Sequence, residues 1–230
     1  MRRIFHYLPL LLLTLSIPLA NAQSGFDINL GFGAAFDKSF GQVDQSTLLP
    51  CALVASSNCA ATDKLSAFDM GFGANLMLWK RFGIGGEYVF QPTKQDYFIF
   101  QQASAATGGI GDKLQTRTGF YDFNGIFQPV NQKKVAVQLV GGVGGVNVKF
   151  YENFTSTGSV LGNTNQSQYA QSANHFQVHA GIGVQLYVSE HVFIRPQFDI
   201  HFAHNLNQQF GSNLVPAATV WLGYSFGDRP

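Results

Sequence analysis

The sequence is poor in charged residues. Asp, Glu, Lys and Arg make up 12% of its 230 residues, which is about half the share usual in soluble domains. The net charge is only +1 at neutral pH, so the chain has no basic surplus to neutralise phosphates, and nucleic acid is not expected as a partner. A composition of 46% apolar and 14% aromatic residues also argues against a disordered chain.

Long hydrophobic runs are missing beyond the N-terminus. A membrane-spanning helix needs a run of roughly 18 apolar residues. The best candidate, Val135 to Val148, contains Gln138, Asn147 and four glycines. We therefore expect no spanning helix in the mature protein.

The N-terminus has the pattern of a secretory signal peptide. Arg2-Arg3 supplies a positive start, Leu8 to Leu19 an apolar core, and Ala20-Asn21-Ala22 a small-x-small cleavage site before Gln23. A membrane anchor is the alternative, but the apolar core is short and is interrupted by two prolines. The prediction is a signal peptide over residues 1–22 and one mature domain over residues 23–230, with 12 basic and 13 acidic residues left after cleavage.

Cysteine is scarce, with only Cys51 and Cys59 in the chain. In an oxidising compartment the simplest interpretation is one local disulfide that closes a small loop. Two thiolate metal ligands without further cysteines or nearby histidines are a weaker alternative. No cofactor is expected from the sequence.

The dominant pattern that is present has period two, which is typical of β-strands. In the first segment Phe26, Ile28, Leu30 and Phe32 alternate with polar residues or glycine. A phase change at Gly144-Gly145 in the fifth segment predicts a β-bulge there. Eight segments show the alternation: 26–36, 68–78, 84–90, 121–127, 135–150, 176–188, 192–202 and 220–226.

The connections between these segments alternate in length. Tight turns are expected near residues 80–81, 128–134 and 189–191, whereas longer loops are expected at 37–65, 91–116, 151–175 and 204–215. Tight turns and both termini then share one end, and the long loops share the other. An even number of antiparallel strands with this asymmetry predicts an all-β fold, an eight-stranded antiparallel up-and-down transmembrane β-barrel.

Periodicity alone does not say which face is outside. A soluble ligand-binding barrel would place the apolar face inward. The polar face here carries Gly, Asn, Gln and Ser rather than the Lys and Glu of a wet surface, and aromatic residues recur near strand ends. These features favour apolar side chains that face lipid and polar side chains that face the interior, or lumen.

Four features of the chain are the leader, the alternation, the loop asymmetry and the terminal segment VWLGYSF. In these features it resembles the small eight-stranded outer-membrane barrels of Gram-negative bacteria, the OmpA-like and porin-family group. The resemblance implies a cell-envelope protein that is exported through the periplasm and inserted by the outer-membrane assembly machinery. It also implies contact with outer-membrane lipid and lipopolysaccharide, and a monomer. Four residues follow Phe226, and no peptidoglycan-binding domain is expected after them.

The inward positions predict a polar network in the lumen, because buried charges must be paired. If the turn at 189–191 joins its two strands directly, His179 faces His201 and Gln185 faces Arg195. A metal or proton-responsive site built from His179, His201 and Asp199 is a sharper alternative, and Arg195 could pair with Glu87 or Asp199. The network members are Glu87, Asp122, His179, Gln185, Arg195, Asp199 and His201, among inward residues that also include Asp27, Asp69, Asn75, Asn124, Gln138 and Gln197.

The function expected from these features is structural or surface-interacting, without catalysis. A narrow pore for ions or small solutes is one alternative. A lipid-modifying enzyme similar to lipid A deacylases is another, with His204 and Ser212 as the nearest candidates, but the serine does not have the expected spacing from the histidine. No catalytic, metal or cofactor residue is assigned.

Overall fold

The computed structural model describes residues 25–36, 59–61, 65–104, 108–158 and 162–227. The predicted signal peptide and Cys51 lie outside the described residues. Within these ranges no helix is long and apolar enough to cross a membrane. The elements are β1 Phe26–Ala35, β2 Cys59–Ala61, β3 Ala67–Met77, β4 Phe82–Phe90, β5 Gln95–Ser104, β6 Gly108–Asn131, β7 Val135–Thr157, β8 Thr164–Tyr187, β9 Val192–Ala203, the short helix α1 Asn207–Phe210, and β10 Leu214–Phe226.

Eight of the strands close into a ring. In chain order β1, β3, β4, β6, β7, β8, β9 and β10 each pair antiparallel with the next. The ring closes between the first and last strands, whose register runs from Phe26 opposite Phe226 to Ala35 opposite Ala217. The predicted eight-stranded antiparallel barrel is confirmed.

Strand β5 continues the path of β4, because both pair with β6. The break between them lies at residues 91–94, where Gln91 is buried. The Gln91 side chain donates to the Leu65 carbonyl at 2.6 Å and accepts from the Thr118 amide at 3.1 Å. This side chain thus replaces ladder hydrogen bonds where the strand is interrupted.

The predicted loops over residues 91–116 and 151–175 are wrong. Strands β6, β7 and β8 contain 24, 23 and 24 residues and continue through most of these segments. The upper part of β8, residues 164–172, is exposed on both faces. A strand with two wet faces has no apolar stripe, so its composition of Ser, Thr, Asn and Gln resembles that of a loop.

The last strand also begins earlier than predicted, at Leu214 instead of Val220. Pro216 and two alanines obscure the alternation in its first half. The Pro216 carbonyl accepts a hydrogen bond from the Phe36 amide at 2.7 Å. The register against β9 also continues through Pro216, which lies opposite Ile200, so the missing proline N–H does not prevent the strand from pairing.

The predicted bulge at Gly144-Gly145 is wrong. The register of β7 passes through this pair without a shift against either neighbour, with Gly145 opposite Tyr121 and Phe176. Instead, the apolar side chains change faces. Val143 points outward and is 51% exposed, whereas Val146 and Val148 point inward and are fully buried.

This change of face marks the boundary between two differently organised parts of the barrel. Near the tight turns, large apolar side chains point outward and polar ones inward. At the opposite end, an apolar cluster fills the interior, and we call it the distal core. Its members are Ala35, Leu65, Tyr97, Phe98, Phe120, Val146, Val148, Phe150, Ala203, Leu206, Phe210, Val215 and Ala217.

The short helix α1 closes the top of the distal core. Phe210 of α1 and the preceding Leu206 are fully buried. The Tyr97 ring contacts Phe150 and Phe210 edge to face, with centroids 5.5 and 5.7 Å apart. Its hydroxyl donates to the carbonyl of Gln209 at 2.7 Å, so the only polar group of this tyrosine ring is paired with the helix.

Gly144 permits a close approach of strands β6 and β7. A Cβ at this position would overlap the Tyr121 carbonyl oxygen and lie 2.7 Å from Asp122 Oδ1. A Cβ at the nearby Gly141 would have only an ordinary contact of 3.9 Å. We expect Gly144→Ala to lower the free energy of unfolding by about 1–3 kcal/mol, and Gly141→Ala to change it little.

Urea unfolding of the protein refolded into lipid vesicles, followed by gel mobility, measures both effects. Equal effects of the two substitutions would contradict the close approach at Gly144.

Candidate functional site

The site is the polar interior of the barrel between the distal core and the tight turns. Because strand side chains alternate, every second residue of each ring strand points inward. The inward polar residues expected from the sequence all occupy the interior and have exposures of 7% or less: Asp27, Asp69, Asn75, Asp122, Asn124, Gln138, His179, Gln185, Arg195, Gln197, Asp199, His201 and the side chain of Glu87.

Arg195 is the centre of the network. Its side chain is fully buried, and its Nη2 atom donates to Glu87 Oε1 at 2.9 Å. Its Nη1 atom donates to Gln138 Oε1 at 2.8 Å. With the Asn75 amide oriented so that its oxygen accepts, Nη1 also lies 2.9 Å from that oxygen. The guanidinium carbon is 5.4 Å from the ring centroid of Trp221, in cation–π geometry.

A chain of amides extends the network along the barrel. Gln138 donates to Gln185 at 2.7 Å, and Gln185 donates to Asp27 at 3.3 Å, near the tight turns. Gln185 and Arg195, which the sequence places opposite each other, are thus joined through Gln138. On the other side of Arg195, Gln197 donates to Glu87 at 3.4 Å and to both oxygens of Asp199 at 3.0–3.1 Å.

A second group contains the two histidines. His179 lies directly opposite His201 on neighbouring strands, and the two ring centroids are 5.1 Å apart. His179 Nδ1 is 3.1 Å from Asp122 Oδ1, and Gln177 donates to the same oxygen at 2.7 Å.

The acidic partner of the histidines is Asp122 rather than Asp199. One ligand atom from each of Asp122, His179 and His201 lies within 4.8 Å of the others. This position of Asp122 follows from the register of β6 against β7. The signal in the sequence that could have indicated it is the glycine pair Gly142 and Gly144. Their missing side chains leave space beside His179 and Asp122.

Negative charge predominates in this part of the interior. Among the described residues between the distal core and the tight turns, the inward carboxylates are those of Asp27, Asp69, Glu87, Asp122 and Asp199, while Arg195 supplies the one guanidinium. Since charges inside a protein must be compensated, this interior depends on protons, hydrogen bonds or a bound cation for its charge balance.

The cavity beside the histidines is small. A cavity of about 20 Å³ lies among Asp69, Asp122, Asp199, His201 and Trp221, which is room for a single water molecule. Trp221, Arg195 and Phe193 are fully buried large side chains that fill the remaining section. The described interior is therefore packed, as expected for an eight-stranded barrel.

The other candidates from the sequence do not form a site in the described residues. Cys59 pairs with Phe100 through its backbone, and its disulfide with Cys51 stays a prediction. The Ser212 hydroxyl hydrogen-bonds to the backbone of Leu214 at 3.0 Å. The His204 carbonyl is bound by His175 at 3.0 Å, and the His204 side chain is exposed. The described geometry contains no Ser–His pair at this position.

No protein-family model matches the chain, and no curated protein matches it in sequence. Solved structures do match. The major outer membrane protein of Thermus thermophilus is 11% identical with a TM-score of 0.49, and the match covers 88% of this chain and 99% of that one. Ail, the attachment invasion locus protein of Yersinia pestis, is 14% identical with a TM-score of 0.46 and coverages of 89% and 99%.

The outer membrane protein OprG of Pseudomonas aeruginosa is 15% identical with a TM-score of 0.43, and the match covers 90% of this chain and 98% of that one. The chain is similar in fold to small outer-membrane barrels. At these identities the likeness concerns the fold alone, and the barrel architecture described above rests on the strand register.

The buried ion pair should matter more for stability than an exposed one. Arg195→Met leaves Glu87 buried without its cation, and we expect a loss of about 3–5 kcal/mol in the free energy of unfolding. The double variant Glu87→Gln/Arg195→Met removes both charges and should be less destabilised than Arg195→Met alone.

The matched control is Lys113→Met, which breaks the exposed pair of Lys113 with Asp96, 2.8 Å apart. Its expected cost is below about 1 kcal/mol. Urea unfolding in vesicles measures all three variants, and a double variant as unstable as Arg195→Met alone would count against the ion pair as the dominant interaction.

Proposed function

We propose that the protein is an integral outer-membrane β-barrel with a structural or surface-interaction role and no catalysis. The observation that carries the proposal is the belt of exposed apolar side chains on all eight ring strands. It is represented by Ile28 and Leu30 on β1, Phe72 on β3, Ile84 on β4, Phe123 on β6, Val143 on β7, Ile182 on β8, Phe198 on β9 and Leu222 on β10. Such a continuous belt is unfavourable in water and favourable in hydrocarbon.

The closed ring of hydrogen-bonded strands also supports a location in the membrane. In hydrocarbon every backbone polar group needs an internal partner, so only helices and closed barrels span membranes. The pairing of β1 with β10 removes the two free edges that an open eight-stranded sheet would have. Strand β1 has 10 residues and β3 has 11, the length that a tilted transmembrane strand requires.

Aromatic side chains at the tight-turn end of the barrel indicate where one surface of the membrane would lie. Phe82 and Phe127 stack with centroids 4.9 Å apart, and Tyr224 and Phe226 are 4.7 Å apart. Aromatic girdles of this kind occupy the interfaces of outer-membrane barrels. We place the tight turns in the periplasm, together with the start of β1 and the end of β10, and the β5–β6 and β7–β8 hairpins outside the cell, because periplasmic turns are short and external connections are long.

The packed interior favours a closed barrel over a narrow pore. The distal core blocks the external end, and the Arg195 network with Trp221 fills the section below it. Beyond the belt, the exposed part of β8 is polar and weakly charged. It is the surface available to outside partners. Lipid and lipopolysaccharide would contact the belt, and the assembly machinery would act on the chain before insertion.

Membrane fractionation with heat-modifiable gel migration tests the location. We expect the mature protein in the outer-membrane fraction, with faster migration when the sample is not boiled, because the closed barrel stays compact in the gel. A mature protein that is monomeric and soluble in water without detergent would contradict the proposal.

Planar-bilayer recording tests the closed interior. We expect no reproducible conductance steps from the purified protein, with an established porin reconstituted in the same bilayers as the positive control. The double variant Leu206→Ala/Phe210→Ala removes two large side chains of the distal core. Its barrel should also stay closed, because the network around Arg195 still fills the interior. Reproducible steps from the unaltered protein would favour the pore instead.

Lipid profiling separates the enzyme from the non-catalytic role. Cells that express the protein should have the same lipid A acyl chains as cells that express the His204→Ala variant. Acyl chains that change with the protein and are restored in that variant would overturn the non-catalytic role.

A further inference from the structure

The histidine cluster in the lumen is assembled from three different strands. Asp122 comes from β6, His179 from β8 and His201 from β9, and their exposures are 6%, 6% and 7%. The ligand atoms of the three side chains converge within 4.8 Å of one another. Neighbouring side chains hold the cluster in place: Phe120 packs on His201 with centroids 5.1 Å apart, and Gln177 donates to Asp122.

Several donor atoms of the cluster have no hydrogen-bond partner within the described residues. His179 Nε2 and His201 Nδ1 are both buried and unpartnered. Buried polar atoms in native proteins are nearly always satisfied, and each exception calls for an explanation. Two imidazole nitrogens that are buried beside one carboxylate are the donors that a borderline transition metal prefers.

The charge of the surroundings favours a cation. The nearest inward acidic groups besides Asp122 are Asp69, Glu87 and Asp199, which line the adjoining cavity together with Asp122 and His201. Arg195 offsets one of these charges through its pair with Glu87. Among the described residues between the distal core and the tight turns, no further lysine or arginine side chain points inward. A divalent cation beside Asp122 would therefore offset two more negative charges.

We propose that Asp122, His179 and His201 bind one divalent transition-metal ion of the Zn²⁺ class inside the barrel. Tetrahedral ligand atoms around zinc are about 3.4 Å apart, so the three side chains need to close by at most about 1.4 Å. Gln177 orients the Asp122 carboxylate as an outer partner. The adjoining cavity of about 20 Å³ has room for one water molecule as the fourth ligand.

The metal would act as an internal cross-link between strands β6, β8 and β9. A ligand that binds only the folded state stabilises it in proportion to the logarithm of its concentration. Because the site lies beneath the distal core, we expect slow exchange of the metal in the folded barrel and loading during refolding.

The experiment compares refolding into detergent micelles with and without Zn²⁺, after removal of metals with a chelator. We expect one equivalent of zinc by elemental analysis and a higher midpoint of thermal unfolding. His201→Gln, which keeps a polar side chain of similar size, should weaken zinc binding by at least about 10-fold, because the loss of a ligand should cost no less than the loss of an outer partner. The matched control is His175→Gln, since both nitrogens of His175 already have partners outside the cluster, and it should bind zinc as the unaltered protein does.

A spectroscopic measurement distinguishes these ligands from adventitious ones. Copper(II) refolded with the protein should give an electron paramagnetic resonance spectrum with nitrogen coupling from two imidazoles, reduced to one in His201→Gln. If His201→Gln does not show heat-modifiable migration, Asp122→Asn serves as the second variant, with weaker zinc binding expected and both imidazoles still coupled to copper. Absence of stoichiometric zinc, or zinc binding that is equal in the folded cluster variants and the His175→Gln control, would overturn the proposal.

Discussion

The structure depends on one constraint, which is that every strand of the barrel must have two hydrogen-bonded neighbours. The pairing of Phe26–Ala35 with the last strand meets this condition for the chain as a whole. Once the ring is closed, every paired backbone group has an internal partner, so the outer side of the barrel can face either water or lipid. The side chains alone then decide which solvent each level of the barrel occupies, and period-two alternation allows one strand to present opposite polarities to its two faces.

Strand β7 demonstrates this division within a single element. In its lower half Leu139 and Val143 face outward while Gln138 is buried, and in its upper half Val146, Val148 and Phe150 face inward. The register is unbroken between these halves. The lower half therefore has the inverted polarity of a membrane protein, and the upper half has the polarity of a soluble one with its own hydrophobic core.

The ring architecture and the inward polar set could be predicted because both follow from alternation in the sequence. Even the opposition of His179 and His201 follows from one tight turn at residues 189–191. The extension of β8 over residues 164–172 could not be predicted, because a strand that is exposed on both faces has no periodic signal. The extensions of β6 and β7 are mostly half-buried, and their sequences show no clear alternation of apolar and polar residues. A bulge at Gly144-Gly145 is the wrong interpretation of the phase change. A switch of the apolar face and a slip in register produce the same pattern in the sequence, and only the pairing with neighbouring strands distinguishes them.

The role of Asp122 as the partner of the histidines depends on long-range register across β7. No local turn defines that register.

The inward position of the distal core has a consequence for how the exterior can change. Because Tyr97, Phe150 and Phe210 hold the distal end of the barrel together from inside, the outward side chains of the β7–β8 hairpin contribute little to its packing. Substitutions there can accumulate with little loss of stability, so this outer surface can diverge in sequence while the interior that holds it together stays the same.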